Sequence, residues 1–177
     1  MVELNLNKPW FTISLRKKIS KIDLNSIREA QGLLTKSSIR KIDLIRSNTF
    51  SNICRNNIFL KLECYQKTGS FKVRGAVTMI DRLDADSKKG GVIAASAGNH
   101  AQGVAYASAM NKMSCTIVMP KNASPAKIAA TRSYGANVIL EGNNYDESSI
   151  YAKEIAMKEG RTIIPAFDDP DVIAGHI

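Results

Sequence analysis

The chain has 177 residues, 44% of them hydrophobic, which is ample for a packed core and allows one domain or two small ones. Its formal net charge of +9 comes from dispersed basic residues, with only 6% aromatics. That pattern predicts a solvated surface rather than a nucleic-acid footprint, so no nucleic-acid partner is expected. Cys54, Cys64 and Cys115 lack any C-x-x-C spacing, which excludes a disulfide framework or zinc knuckle and suits a reducing compartment. His100 and His176 lie too far apart for a spaced ligand pair, and no metal site is expected. The first twenty residues hold Lys8, Arg16, Lys17 and Lys18 but no apolar run near the ~18 residues a membrane span needs. No membrane contact and no secretory signal is expected; a cytoplasmic location is, with an organellar presequence as the open alternative.

In chain order, the basic run LRKKISK (15 to 21) is followed by a predicted surface helix over residues 22 to 37. It carries Ile27, Ala30, Leu33 and Leu34 at helical spacing, with Asp23 or Asn25 as cap. Residues 39 to 47 alternate towards a strand, Ser47 caps a short helix through Cys54, and NIFLKLE (57 to 63) reads as a buried strand. The apolar spacing of Phe71, Val73, Ala76, Val77 and Ile80 predicts a helix from Phe71 to Leu83, its start marked by Gly69 and Ser70. DADSKKGG (84 to 91) reads as a polar turn or linker. Beyond it, strands GVIAAS, SCTIVMP, ANVILEG and RTIIPAF alternate with helices NHAQGVAYASAM, SPAKIAATRSYG and Tyr145 to Glu159. That alternation predicts βαβ units and a parallel sheet, a compact α/β unit over residues 90 to 167.

Two stretches carry chemistry. With Ser70 as cap, Lys72 falls at the second helical position, where the dipole disfavours an ammonium and favours the neutral amine. A neutral amine condenses with aldehydes; the plainer alternative is an exposed lysine on an amphipathic helix. SAGNHAQG (96 to 103) follows a strand and opens a helix, so its small residues and free N–H groups suit a carboxylate or phosphate. Val104 and Ala105 stand where a P-loop needs Lys-Ser/Thr, and the G-x-G-x-x-G of dinucleotide folds is missing, which disfavours a Rossmann-like nucleotide domain. A tight βα turn that only packs remains the alternative.

KLECYQKTGSFKVRGA, SAGNHAQGVAYAS, MPKNASPAKIAATRSYGANVIL and FDDPDVIAG together resemble the threonine dehydratases of the fold-type-II pyridoxal-phosphate enzymes, a group that includes serine racemase. The resemblance runs from about residue 36 to 175. It implies an α/β, tryptophan synthase β-like fold whose larger domain begins with residues 1–83. Residues 84–167 would form a three-layer small domain, and 168–177 would start the return to the large one. It implies pyridoxal 5′-phosphate as cofactor, Lys72 as the catalytic Schiff-base lysine, Phe71 packed beside the cofactor and Asn99 hydrogen-bonding its 3′-oxygen. Ser96, Gly98, Asn99, His100 and Ala101 would surround the substrate carboxylate. The implied reaction is dehydration and deamination of L-threonine to 2-oxobutanoate and ammonia, and of L-serine to pyruvate. Such a lyase belongs to isoleucine biosynthesis or serine/threonine catabolism, and the full-length form is expected to be a homo-oligomer.

Serine racemases carry a second serine in the asparagine loop where this chain has Ala97, which cannot move a proton; a dehydratase is therefore expected over a racemase. KIDLIRS (41 to 47) departs from the family's Thr-Pro-Leu stretch, and His176-Ile177 replaces its Gln-Gly-Thr. Members are about twice this long, so the large domain is expected to be truncated here, with the cofactor-phosphate loop in the missing half. A catalytically inactive fragment is the competing expectation.

Overall fold

The computed structural model describes residues 22–177. LRKKISK and any presequence lie outside the described residues. Helix α1 (Leu24–Lys36) begins where the cap reading put it: the Asp23 carboxylate accepts the Ser26 N–H at 2.8 Å, and the Ser26 hydroxyl accepts the Asp23 N–H in return. Ala30 and Leu34 form its buried stripe. Strand β1 (Leu44–Arg46) leads into α2 (Asn48–Cys54), capped by the Ser47 hydroxyl on the Phe50 N–H. β2 (Phe59–Lys61) pairs antiparallel with β1, Ile45 opposite Leu60.

The segment read as a buried strand is therefore not buried. β2 sits in a two-stranded ribbon, and Phe59 is 54% exposed. A ribbon has no second layer of its own, so its apolar side chains stay in solvent whatever their spacing. A second difference is α4 (Ala85–Gly90), a helix where a polar turn was expected. The Asp84 carboxylate caps it, accepting the Ser87 N–H at 2.7 Å, which is the role that makes aspartate common in turns as well.

From there the chain alternates: β3 (Val92–Ala95), α5 (Asn99–Met110), β4 (Cys115–Met119), α6 (Pro125–Ser133), β5 (Asn137–Leu140), α7 (Tyr145–Glu159) and β6 (Thr162–Ile163). The four strands form one parallel sheet in the order β5-β4-β3-β6. The two-residue period divides their side chains between faces. Ile93 and Val118 meet Ala152 and Ala156 of α7, whereas Val92, Ala94, Ile117 and Met119 meet the α5 side of the core. Three layers result.

The α5-side cluster does not stop at the sheet. It continues through Val73, Ala76, Val77 and Ile80 of α3 (Lys72–Asp81), Leu34 of α1 and Val172 of α8 (Pro170–His176). Burying each of these valine, leucine and isoleucine side chains contributes about 1.5–3 kcal/mol. Contact between α3 and α8 is close because Gly175 faces Thr78: a Cβ there would meet the Thr78 side chain and lie 2.9 Å from the Arg74 carbonyl. Arg82, just past α3, donates to Asp171 at 2.7 Å and to Glu29 at 3.2 Å, tying α8 and α1 to α3.

Candidate active site

Strand order decides where a ligand belongs. From β3 the chain steps outward to β4 and β5, then crosses back past β3 to β6, with α7 on the opposite face from α5. The crevice beyond the carboxyl ends of β3 and β6 is thus the topological switch point, where open α/β sheets place ligands. The loop after β3 is Ser96-Ala97-Gly98, leading into Asn99 of α5; the segment after β6 is Ile164 to Asp169.

Lys72 reaches into this crevice. Its Nζ donates to the carbonyl of Ala166 at 2.6 Å and lies 5.3 Å from the Phe71 ring centre. Lys72 and Ala166 of the β6 segment are 94 positions apart in sequence, and the packing of α3 on α5 and α8 brings them together. Gly103 makes that packing possible: a Cβ there would lie 3.1 Å from the Val73 Cα and 3.2 Å from the Lys72 carbonyl carbon.

The helix start differs from the sequence expectation. Phe71, not Ser70, is the capping residue, so Lys72 occupies the first helical position. Phe71 already has helical dihedrals, and the Ser70 hydroxyl accepts the Lys72 N–H at 3.3 Å, so the serine still serves the helix start from one residue further out. The cause of the lysine's altered acidity differs as well. Its pKa is lowered from the ordinary lysine value by burial, where the dipole had been expected to act.

The members of the asparagine loop are placed differently around the start of α5. Gly98 caps α5 without any side-chain hydrogen bond, so the first amides of the helix have no side-chain acceptor among the described residues. Ser96 turns its hydroxyl to the Gly98 N–H at 3.1 Å. Asn99 is exposed at the mouth. Ala101 is fully buried and offers a ligand only its backbone. His100 likewise turns inward, 4% exposed, with Nε2 2.9 Å from the Ile164 carbonyl. A carbonyl only accepts, so Nε2 carries the proton and Nδ1 is the lone pair. That Nδ1 is buried without a hydrogen-bond partner among the described residues. Burial pushes the His100 pKa down to about 4; the Lys72 charge acts in the same direction, against the hydrogen bond to Ile164.

Of the residues singled out in sequence, Phe71 and Lys72 adjoin at the start of α3 and Lys72 lies within electrostatic reach of His100; sequence reasoning missed what faces them: the carbonyls of Ile164 and Ala166, Gly103, and His176. Phe71 is 42% exposed and stands edge-on to the His176 imidazole, ring centres 4.9 Å apart. A cavity of about 390 Å³ opens beside Ala166, between Tyr145, Ser149 and Lys153 of α7 and the Pro165–Asp168 stretch. The strand alternation was the one sequence signal that could have pointed to the β6 segment, since a switch point needs both flanking loops.

The group these residues suit is an aldehyde cofactor with an oxygen substituent. A desolvated lysine amine fits an aldehyde, the exposed Asn99 amide can meet a ring oxygen, and the orphaned His100 Nδ1 marks a buried polar surface beside the amine. Comparison with known proteins agrees. The chain is 48% identical over 156 residues to the catabolic L-threonine dehydratase TdcB of Staphylococcus aureus, covering 88% of this chain and 45% of that protein. Its fold is similar to the processed form of threonine deaminase isoform 2 from Solanum lycopersicum, with a TM-score of 0.77 and 37% identity, covering 86% of this chain and 43% of that one. It is also similar to serine racemase from Dictyostelium discoideum, with a TM-score of 0.81 and 33% identity over 87% of this chain and 50% of that one. The chain thus spans about half the length of the relatives it matches. Residues 35–177 match the family model of pyridoxal-phosphate dependent enzymes, and with the lysine and asparagine loop facing one crevice, the chain belongs to that family.

Proposed function

We propose that this chain carries the lysine-bearing half of a pyridoxal-phosphate lyase that dehydrates and deaminates L-threonine, and L-serine, to 2-oxobutanoate or pyruvate and ammonia. The observation that carries the reading is Lys72 Nζ, desolvated and 2.6 Å from the Ala166 carbonyl, in the crevice that the asparagine loop also faces. The 48% identity to a threonine dehydratase supports the substrate.

When bound, pyridoxal phosphate supplies an electron sink for the charge left by loss of an α-proton. Lys72 would hold its aldehyde carbon until the substrate's amino group takes its place, and the freed amine would then take the substrate's α-proton, a role that needs the neutral form burial favours. The Ala166 carbonyl aims that amine along the crevice. Asn99 would hydrogen-bond the 3′-oxygen. The substrate carboxylate would sit at the start of α5, against Ser96, Gly98, Asn99 and the backbone N–H groups of His100 and Ala101. Phe71 would close one side. Ala97 offers no proton to the opposite face of the substrate, which supports elimination over racemisation.

The same proposal includes the division into residues 1–83, 84–167 and 168–177, a cytoplasmic location, and a homo-oligomeric full-length enzyme. A second reading, a chain that folds without turnover, draws on the solvent-exposed Leu44, Ile45 and Phe59 of β1 and β2.

Assay of 2-oxo acid release with pyridoxal phosphate, threonine and serine separates the two, together with the visible absorption of the mixture. The lyase reading expects product and a visible band, both lost in Lys72→Ala. No band and no product from the unmodified chain would refute turnover by this chain and favour the second reading.

A further inference from the structure

His176 stands outside the roles assigned above, yet the structure has built a seat for it. Gly75, in the first half of α3, leaves a notch: a Cβ there would come within 2.5 Å of the His176 Nε2 and 2.7 Å of its Cδ2. Any residue but glycine would displace the ring. The imidazole also meets the Phe71 ring edge-on, centres 4.9 Å apart, and approaches the Lys72 backbone. Its Nε2 is buried without a hydrogen-bond partner among the described residues. Ordinary packing would fill this notch with an apolar side chain and avoid the cost of a dry nitrogen.

The surroundings explain what the ring does. Burial lowers its tendency to take a proton most; the charges of Lys72 and Arg74 of α3 and of His100 of α5 act in the same direction, against a hydrogen bond to the Lys72 backbone, and the pKa falls to about 4. At neutral pH the ring is therefore an uncharged plug between α8 and the first turn of α3. The Lys72 amine lies within electrostatic reach of both imidazoles, His176 from α8 and His100 from α5.

We propose that His176 is a positioning residue for Lys72: seated over Gly75, it braces Phe71 and the first turn of α3 and keeps water from the lysine amine. Its relevance to catalysis rests on Lys72 being the cofactor lysine, as proposed above. The geometry itself does not.

The test follows the reactivity of Lys72 with acetic anhydride as a function of pH, read on the Lys72 peptide by mass spectrometry. In the unmodified chain the midpoint falls below the ordinary lysine value of 10.5. His176→Ala admits water beside the amine, moving the midpoint up towards the ordinary lysine value, so that labelling below both midpoints slows several-fold. His176→Gln fills the notch with an uncharged planar group and holds the midpoint near that of the unmodified chain. A His176→Ala profile that superimposes on the original overturns the proposal, as does a His176→Gln profile shifted as far as His176→Ala. The visible band with pyridoxal phosphate is recorded in parallel. Its absence from the unmodified chain would sink the cofactor reading, while the labelling profiles would still decide the role of His176.

Discussion

Gly103→Ala probes the contact on which the candidate site depends. An alanine Cβ at this point of α5 would lie 3.1 Å from both the Cα and N of Val73 and 3.2 Å from the Lys72 carbonyl carbon. These are backbone atoms in the first turn of α3, so relief requires the helix to back away by a few tenths of an ångström, taking Lys72 from the Ala166 carbonyl. Overpacking of this kind costs about 1–3 kcal/mol. Replacing a mid-helix glycine with alanine returns about 1 kcal/mol through helix propensity. Gly32 supplies the control: it lies inside α1, exposed, with nothing within 4 Å of its would-be Cβ. Gly32→Ala should stabilise the chain by up to about 1 kcal/mol. Because the propensity gain is common to both variants, the difference between them isolates the contact at about 1–3 kcal/mol, with Gly103→Ala the weaker. Urea unfolding followed by circular dichroism measures both. Equal stabilisation in the two variants would show that α5 does not approach α3 as described.

Between pH 7 and 4 the chain should lose stability through His100. Its pKa is about 4 folded against 6.5 for a free histidine, so in that window the unfolded chain binds more protons and stability falls as pH drops from about 6.5 to about 4. The contribution is fully present above 6.5 and roughly 3 kcal/mol of it is gone by pH 4. Unfolding of His100→Gln over the same range cancels the carboxylates, and an unchanged slope would contradict the assignment. Arg82→Ala removes the 2.7 Å bond to Asp171 from a guanidinium only 22% exposed and should cost about 1–2 kcal/mol in melting experiments, whereas Glu29→Ala, on the exposed side, should cost under about 0.5. Iodoacetamide at neutral pH should modify the exposed Cys54 and Cys64 but spare Cys115, whose thiol is pushed up to about 11 by burial; labelling of Cys115 in the folded chain would count against its place in the core.

Local chemistry accounts for the elements that sequence alone determined. Asp23 and Ser47 cap helices because their side chains reach amides three residues on, and α7 runs over Tyr145–Glu159 because Asn144 caps its start and Gly160, in the left-handed region, stops it. Strand alternation likewise implied a parallel sheet, and the Lys72 and Asn99 stretches could be picked out by residue type. Partners distant in sequence decided the rest. The β2 segment looks buried by its apolar run, but burial depends on whether another layer covers it, and among the described residues only β1 pairs with it. No spacing rule links Lys72 to Ala166, His100 to Ile164 or Gly75 to His176, since each pair meets only after α3, α5, β6 and α8 have packed. The lysine's environment shows the division most plainly. Sequence put Lys72 at a helix start and suggested the dipole as the agent that would weaken its charge. The packed structure moved it one position and made burial the agent, because desolvation is a property of everything that surrounds an amine and not of the helix that carries it.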